Sequence, residues 1–443
     1  MKNSNKSIPK TLVLGVASTI VVSACGGAAQ FPVAAGIGPK PLIPPPSISP
    51  IPTINVVRAK GWAPNQTPIP APGTRVNAFA RGLDHPRWIY VLPNGDVLVA
   101  ETNAPKRPED GKGIKGWFFR YFQSRAGGAV PTPNRIVLLR DADGDGIAET
   151  RTIFLSGLNS PFGMALVGGT FFVANTDAVV RFPYHTGDTH ISSAPVKVSD
   201  LPGGKINHHW TKSLLAAPDG GKLYVGVGSN SNAAENGIDA EEGRAAIWEI
   251  DPATGSHRVF ASGTRNPVGL AWEPDTRKLW VSVNERDELG SDLVPDYMTS
   301  VRDGGFYGWP FSYYGQHIDS RIKTQRPDLV AKAIVPDYAL GAHTSSLGLA
   351  WGGQTALPAP FEHGMFIGQH GSWNRKPFSG YKVIFVPFAN GAPIGMPIDV
   401  LTGFIKQNGE AMGRPIGVAI DHHGALLVVD DVGNSVWRVT ASR

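Results

Sequence analysis

The chain of 443 residues carries a single cysteine, Cys25. No internal disulfide is available, so a folded domain has to be held by its apolar core. Charge is also scarce: Asp, Glu, Lys and Arg make up 17% of the residues, and they are scattered rather than gathered in runs. The net charge of +5 drops to +2 when residues 1–24 are set aside, because they contain three lysines and no acid. This balance gives no basic face for nucleic acid. Several catalytic signatures are missing as well. No Gly-x-Gly-x-x-Gly opens a βαβ unit, so a nicotinamide site is not indicated; Gly-x-Ser-x-Gly and His-Glu-x-x-His are absent, which removes the hydrolase elbow and the zinc-protease helix.

What the chain has in quantity is glycine (53) and proline (38), set between short strand-like runs. That composition predicts an all-β, turn-rich protein. The first residues stand apart. Lys2, Lys6 and Lys10 precede an apolar stretch at 11–22, too short to span a bilayer once cleaved. Val22-Ser23-Ala24-Cys25-Gly26 has small residues ahead of the cysteine, as in a bacterial lipobox. The expectation is a lipoprotein signal peptide at 1–24, lipidation of Cys25, and an exported, membrane-anchored protein facing the periplasm. Residues 25–72, rich in Pro, Ala, Gly and Ser, read as an extended tether, and 73–443 as the folded domain.

Within 73–443 one pattern returns: a loop ending in a small residue or proline, an apolar strand, a Gly/Asp turn, a second strand, then an acid or amide. Six copies occupy 82–101, 157–175, 208–230, 263–285, 343–370 and 413–431, about 66 residues apart. A third strand often follows, as at 134–141 and 246–251. Six units of three or four strands predict a six-bladed β-propeller, in which each twisted sheet buries its faces against its neighbours. Only 12 residues follow Asp431, so the last blade lacks a strand, and residues 75–80 are expected to supply it.

Blade geometry places the residues before each first strand, and those ending each second strand, at one mouth of the channel. In this chain they are Asp84, His85, Asn159, His208, His209, Arg265, Asn266, His343, Thr344 and Arg414, with Glu101, Asn175, Ser229, Asn230, Asn284, Glu285, Gln369, His370, Asp430 and Asp431. Guanidinium prefers planar oxyanions, because it grips carboxylate with two donors. A positioned neutral histidine is suited to taking a proton from an alcohol or hydrated aldehyde. No side chain accepts hydride, so oxidation at such a mouth requires a cofactor.

The chain resembles the soluble pyrroloquinoline-quinone (PQQ) dehydrogenases, the glucose/sorbosone dehydrogenase family, and within it most resembles the L-sorbosone dehydrogenases. The resemblance covers about residues 75–440. It rests on His209 nine residues before Pro218-Asp219, on Gly263-x-Arg265-Asn266-Pro267-x-Gly269-Leu270, on Asn284 to Leu289 running on to 304–310, and on Gly371-Ser372-Trp373-Asn374-Arg375 and Gly413-Arg414-Pro415. It implies that His209 is the catalytic base, that Arg265 polarises the quinone oxygen, that Asn266 and Arg414 bind PQQ, and that backbone carbonyls of Asn284, Glu285 and Arg286 hold Ca²⁺ beside it. The family's PQQ-binding lysine has no clear counterpart; His370, Arg375 and Lys376 are the replacements at hand. His208 stands where the glucose-oxidising members have an acid, and Gly228-Ser229 where they have Gly-Asp. These departures favour another aldose or sugar aldehyde, such as sorbosone, as the small-molecule substrate, with an artificial or respiratory electron acceptor.

Two further features stand outside that likeness. Asp141, Asp143 and Asp145 with Glu149 form a DxDxDG loop whose hard oxygens suit a structural calcium or a plain acidic turn. The insertion 102–133 contains GWFFRYFQSR, which reads either as a lid or membrane contact or as a short helix on the rim. Two other functions remain open: a calcium-dependent lactonase or esterase on a six-bladed scaffold, and a non-catalytic binding propeller.

Overall fold

The computed structural model describes residues 27–50, 53–105, 117 and 121–442; the leader at 1–24 and Cys25 lie outside the described residues. The six repeats fold as six blades. Blade one is built from Pro86–Val91, Val97–Glu101, Arg135–Arg140 and Thr150–Leu155. Blades two and three are likewise four-stranded antiparallel sheets, opened by Gly163–Val167 and Lys212–Ala216. Blades four, five and six open with Pro267–Glu273, Ser346–Trp351 and Pro415–Ile420. Each opening strand packs against the next blade's, and the sixth meets the first, so the opening strands form a closed ring around the channel.

The ring is fastened as the missing strand required. Thr74–Arg81, from the start of the domain, pairs with the last strand, Ser435–Ala441, from Thr74↔Ala441 to Arg81↔Ser435. Opposite ends of the chain thus share one sheet, and Thr74–Arg81 covers the outer edge of Ser435–Ala441. Between blades lie the apolar strand faces, for example Phe154, Phe171 and Val173 between blades one and two and Trp280, Tyr338 and Met365 between four and five.

The opening strands carry a shared irregularity. Register slips between Pro86 and Trp88, Pro267 and Gly269, Ser346 and Gly348, and Pro415 and Val418. Such bulges turn one side chain out of the pleat. Here they aim Val268, Leu347 and Ile416 at the axis, where they meet Phe162 and Trp210 in an apolar plug. Glycine follows in several copies because the strands nearly touch: a Cβ at Gly348 would collide with the Ile416 carbonyl.

The Pro-rich stretch differs from the expected tether. Where described, it lies strapped along the propeller. Ile37–Gly38 pairs with Leu340 and Ala339 as a fifth strand of blade four, and Ile69–Pro70 extends blade five. Arg58–Ala59 runs parallel to Glu410–Ala411. The physical reason is a set of apolar anchors spaced among the prolines. Val57 is buried, and Trp62 packs edge-on against Phe404 and Trp437, at 5.6 and 5.4 Å, while its Nε1 donates to Asp430 at 2.7 Å. Among the described residues no helix is long and apolar enough to cross a membrane.

Candidate active site

His209 lies in the loop entering blade three, and its tautomer is set by its neighbours. Nδ1 is 2.8 Å from the Ser229 carbonyl and 3.0 Å from Ser229 Oγ. Ser229 Oγ in turn donates to the Ser231 carbonyl at 2.6 Å, so toward the ring it accepts. Nδ1 therefore carries the proton and Nε2 the lone pair, the form that a general base needs. Gly228 permits the approach, since a Cβ there would collide with both His209 and Asn266 Oδ1. The loop is pinned from beneath. Thr176 Oγ1 and the buried Lys212 Nζ both donate to the Trp210 carbonyl, at 2.9 and 3.2 Å. Burial, together with the Arg244 charge and against the pull of Asp177, brings the Lys212 ammonium well below its ordinary pKa.

Two cavities meet at His209. The channel cavity, about 180 Å³, is lined by Arg87, His208, Trp210, Asn266 and His370, with Phe162 among its apolar residues. The other, about 130 Å³, is lined by Arg265, Asp287, His343, Trp373 and Asn374. His209, Asn284 and Ser345 belong to both walls. Both members of the histidine pair thus face the channel, and His209 alone of the two reaches the second cavity.

Arg265 donates to the Asn232 carbonyl and side chain at 3.3 and 3.0 Å, and its Nη1 to the carbonyls of Asn284 (3.3 Å) and Glu285 (2.7 Å). It faces Asp287 at 3.7 Å. Asp287 also accepts from Asn374 at 2.6 Å and pairs with His343 Nδ1 at 3.3 Å. Burial pushes the Asp287 carboxyl up, but the His343 hydrogen bond and the Arg265 charge outweigh it and hold the group below its usual value. His343 Nε2 lies 2.9 Å from the Gly290 carbonyl, so both ring nitrogens face acceptors. Burial would lower its pKa; the Asp287 bond and charge raise it instead, which favours the imidazolium.

The carbonyls of Asn284 and Glu285 thus reach the site, with Arg265 as their protein partner. The rest of that loop is tied down hard. Arg286 is fully buried and pairs with Glu285 (3.0 Å) and Asp319 (3.1 Å) while donating to the Pro310 and Ser312 carbonyls. Asp296 accepts from Asn284 Nδ2 and Glu285 N, and burial pushes its pKa up to about 6.

The remaining expected residues separate. His370 lines the channel, with Nε2 3.0 Å from Asp431 Oδ2. The same oxygen takes Arg87 Nη1 at 2.7 Å. Burial and the Arg414 charge bring His370 down to about 3, and burial brings His85, 4.0 Å from Asp431, to about 4. Burial opposes ionisation of Asp431, yet His370, Arg87 and His85 keep it well below the carboxylate range. Arg414 lines neither cavity. Its Nε and Nη2 donate to the His370 and Gly371 carbonyls, each at 2.9 Å, so it props the turn rather than facing the mouth. Arg375 also turns away: it donates to the Pro377 and Phe31 carbonyls and faces Asp292, beneath the N-terminal strap. Its direction could not be told from the motif, because the strap that attracts it lies some 340 residues away in sequence.

Asp141, Asp143, Asp145 and Glu149 bring ligand oxygens within 4.8 Å of one another, far from the channel on the outer hairpin of blade one. Backbone amides of Gly144, Gly146, Asp145 and Ala142 aim those carboxylates. In the 102–133 insertion, residues 121–125 are helical, and the exposed Trp117 and Tyr121 rings stack at 6.0 Å. Sequence reasoning missed Arg87, Asn232, Asp287 and Asn374 as site residues. Asp287 and Asn374 sit inside the Asn284–Leu289 and Gly371–Arg375 motifs, and Arg87 occupies a slot that is apolar in four other repeats.

The geometry suits an anionic, planar redox group. Cations and imidazoles line the cavities, Phe162 and Trp210 offer apolar faces, and Asn266 Oδ1 is buried with no donor among the described residues. Comparison with known proteins agrees in fold. The TrAA12-like family model matches residues 134–299 and 315–442. An uncharacterized protein of Borreliella burgdorferi is 27% identical over 54% of this chain and 62% of its own length. A pyrroloquinoline quinone-dependent pyranose dehydrogenase of Coprinopsis cinerea is 23% identical over 83% of this chain. The chain spans 54% of that relative's length, about half. The holo form of that organism's pyranose dehydrogenase PQQ domain superposes with a TM-score of 0.67, at 20% identity, covering 87% of this chain and all (100%) of the domain.

Proposed function

Because this chain belongs to the TrAA12-like family, we propose that it is a PQQ- and calcium-dependent sugar dehydrogenase that oxidises an aldose or sugar aldehyde with His209 as base. The observation that carries this reading is the His209 tautomer at the junction of two cavities, one walled by Arg87 and His370, the other by Arg265 and Asp287.

In this reading the substrate hydroxyl lies against His209 Nε2, which takes its proton. The resulting imidazolium is stabilised through Nδ1, whose proton both Ser229 oxygens accept. PQQ, when bound, supplies the two-electron sink for the hydride that leaves the same carbon. Arg265 and Asn266 hold the cofactor's polar edge. Each of the Asn284 and Glu285 carbonyls has a second lone pair for calcium beyond the Arg265 bond, with Arg286's carbonyl next in line and Asp287 supplying negative charge. A second calcium is proposed at Asp141, Asp143, Asp145 and Glu149 as a brace for the outer hairpin of blade one. His208 on the channel wall, where an acid would favour glucose, supports an L-sorbosone-like substrate. Export and lipidation at Cys25 are proposed with it, so that electrons pass to a membrane or respiratory acceptor.

The hydrolase alternative wants metal-binding carboxylates in the channel. Among the described residues the group that converges for a metal is the 141–149 loop instead.

The test is dye-linked turnover by the domain from residue 27 onward, with sorbosone, glucose and a panel of aldoses. Activity is expected only with PQQ and Ca²⁺ together, and His209→Ala is expected to lower kcat by about 10²–10⁴-fold while PQQ still quenches tryptophan fluorescence. Turnover that persists without PQQ would overturn the reading.

A further inference from the structure

Five of the six repeats share one position at the start of the opening strand, and in all of them but blade two it is bulged. In the copies Pro161-Phe162-Gly163, Pro267-Val268-Gly269, Ser346-Leu347-Gly348 and Pro415-Ile416-Gly417 it is apolar, and all four side chains join Trp210 in the plug on the channel axis. In blade one the same position is Pro86-Arg87-Trp88, with the same slip in register. A guanidinium therefore stands where its counterparts are Phe, Val, Leu and Ile. Such a substitution leaves a charge in apolar surroundings unless it has partners.

Among the described residues Arg87 has one partner for its side chain, Asp431, at 2.7 Å through Nη1. Among the described residues its Nε is buried with no hydrogen-bond partner, as are Asp431 Oδ1 and His85 Nε2 beside it. Three orphaned polar atoms in one cluster indicate that a polar group is still to be accommodated. Arg87 also lines the channel cavity next to His209 and Asn266, whereas Arg375 and Arg414 line neither cavity and spend their donors on backbone carbonyls. Asp431 is the carboxylate paired with Arg87, and the Arg414 guanidinium adds a second positive charge close enough to act on Arg87.

We infer that Arg87, oriented by Asp431, is a cofactor-binding residue that grips a carboxylate of PQQ in the channel cavity, taking the part for which the sequence offered no lysine. The inference rests on the PQQ reading above. Asp431 fixes one arm of the fork and leaves the other to an anion on the channel side, which is where a guanidinium outperforms an ammonium. Asp431 acts through Arg87 and is a positioning residue.

The experiment is titration of the metal-loaded apoprotein with PQQ, followed by tryptophan quenching and calorimetry, for wild type, Arg87→Gln and Arg87→Lys. A parallel titration uses PQQ trimethyl ester, which keeps the ring system and loses the negative charges. Wild type is expected to prefer PQQ over the ester. Arg87→Gln is expected to weaken PQQ by about 10- to 100-fold, the range of one charge-assisted hydrogen bond, and to leave the ester unchanged; Arg87→Lys, which keeps the pair with Asp431 and so the fold, is expected to lie between. Equal PQQ affinity in wild type and both variants would overturn the role of Arg87 while leaving the PQQ reading intact. An equal loss for PQQ and ester would mean that Arg87 acts through structure alone, and would also overturn it. Failure of wild type to bind PQQ would overturn the reading and the inference together.

Discussion

Replacing Asp431 by alanine tests the electrostatics of the channel mouth without touching the proposed base. The carboxylate is buried and accepts from Arg87 and His370 through one oxygen. Removing it leaves a guanidinium in the channel wall with no counter-charge and one more imidazole without a partner. Breaking a buried pair in this way costs about 3–5 kcal/mol. The closing strand makes the ring one cooperative unit of about 370 residues, with an unfolding entropy of about 2.1 cal/mol/K per residue, so each kcal/mol moves Tm by about 1.3 °C and the expected fall is about 4–6 °C. Asp431→Asn keeps an acceptor for Arg87 and should lose less than half of that. The loss should be flat between about pH 7 and 8, because the carboxylate is ionised there in both folded and unfolded chains. Differential scanning calorimetry of the two variants checks both points. A fall below about 1 °C in Asp431→Ala would refute the buried pair, and a loss that vanishes on raising the pH would refute the charge states assigned to it.

Three other outcomes follow from the same structure. Trp62→Ala removes an edge-on contact with Phe404 and Trp437 and a hydrogen bond to Asp430, and should cost about 2–4 kcal/mol by denaturant titration; no loss would mean that the strap only rests on the rim. Chelation by EDTA should lower Tm by about 3–4 °C for a site filled at 100 times its Kd, and Asp143→Asn with Asp145→Asn should abolish the part due to the 141–149 loop. Stability should fall as pH drops from about 6.5 toward 4, because His370 (about 3) and His85 (about 4) stay neutral when folded while the unfolded chain binds those protons. His343 works in the opposite sense, since its raised pKa adds stability that is lost as pH rises through the folded value. His85→Gln should reduce the acid slope measured by urea titration; an unchanged slope would contradict the assignment.

The blades were legible because each repeat had to write the same buried strand pair between turns, and a period of about 66 residues survives changes in individual side chains. The closing strand was legible as a deficit: the last copy ended early, and Thr74–Arg81 fills the place expected for 75–80. Sequence also brought His209, Asn266, Arg265, Asn284 and His370 to one mouth, because strand position fixes the end of the blade at which a residue lies. It did not fix where long side chains point. Arg375 and Arg414 sit in the expected loops and turn to backbone carbonyls of the strap and of the neighbouring turn. The strap itself was hidden by composition: prolines read as a solvated tether, while the anchors that hold it, Val57 and Trp62, are single residues among them. Arg87 was visible only by comparing the same slot across repeats, where a guanidinium replaces the Phe, Val, Leu and Ile of four other copies.

Whether this mouth holds PQQ and passes it a hydride from a sugar is decided by one anaerobic turnover without dye. Protein loaded with one equivalent of PQQ and Ca²⁺ is mixed with an excess of aldose, and the cofactor spectrum and the oxidised sugar are measured together. Full bleaching of the quinone absorbance with one equivalent of sugar oxidised per protein is expected, and neither change on the same timescale in His209→Ala. Bound PQQ that stays oxidised in wild type across the whole sugar panel would contradict hydride transfer at this mouth.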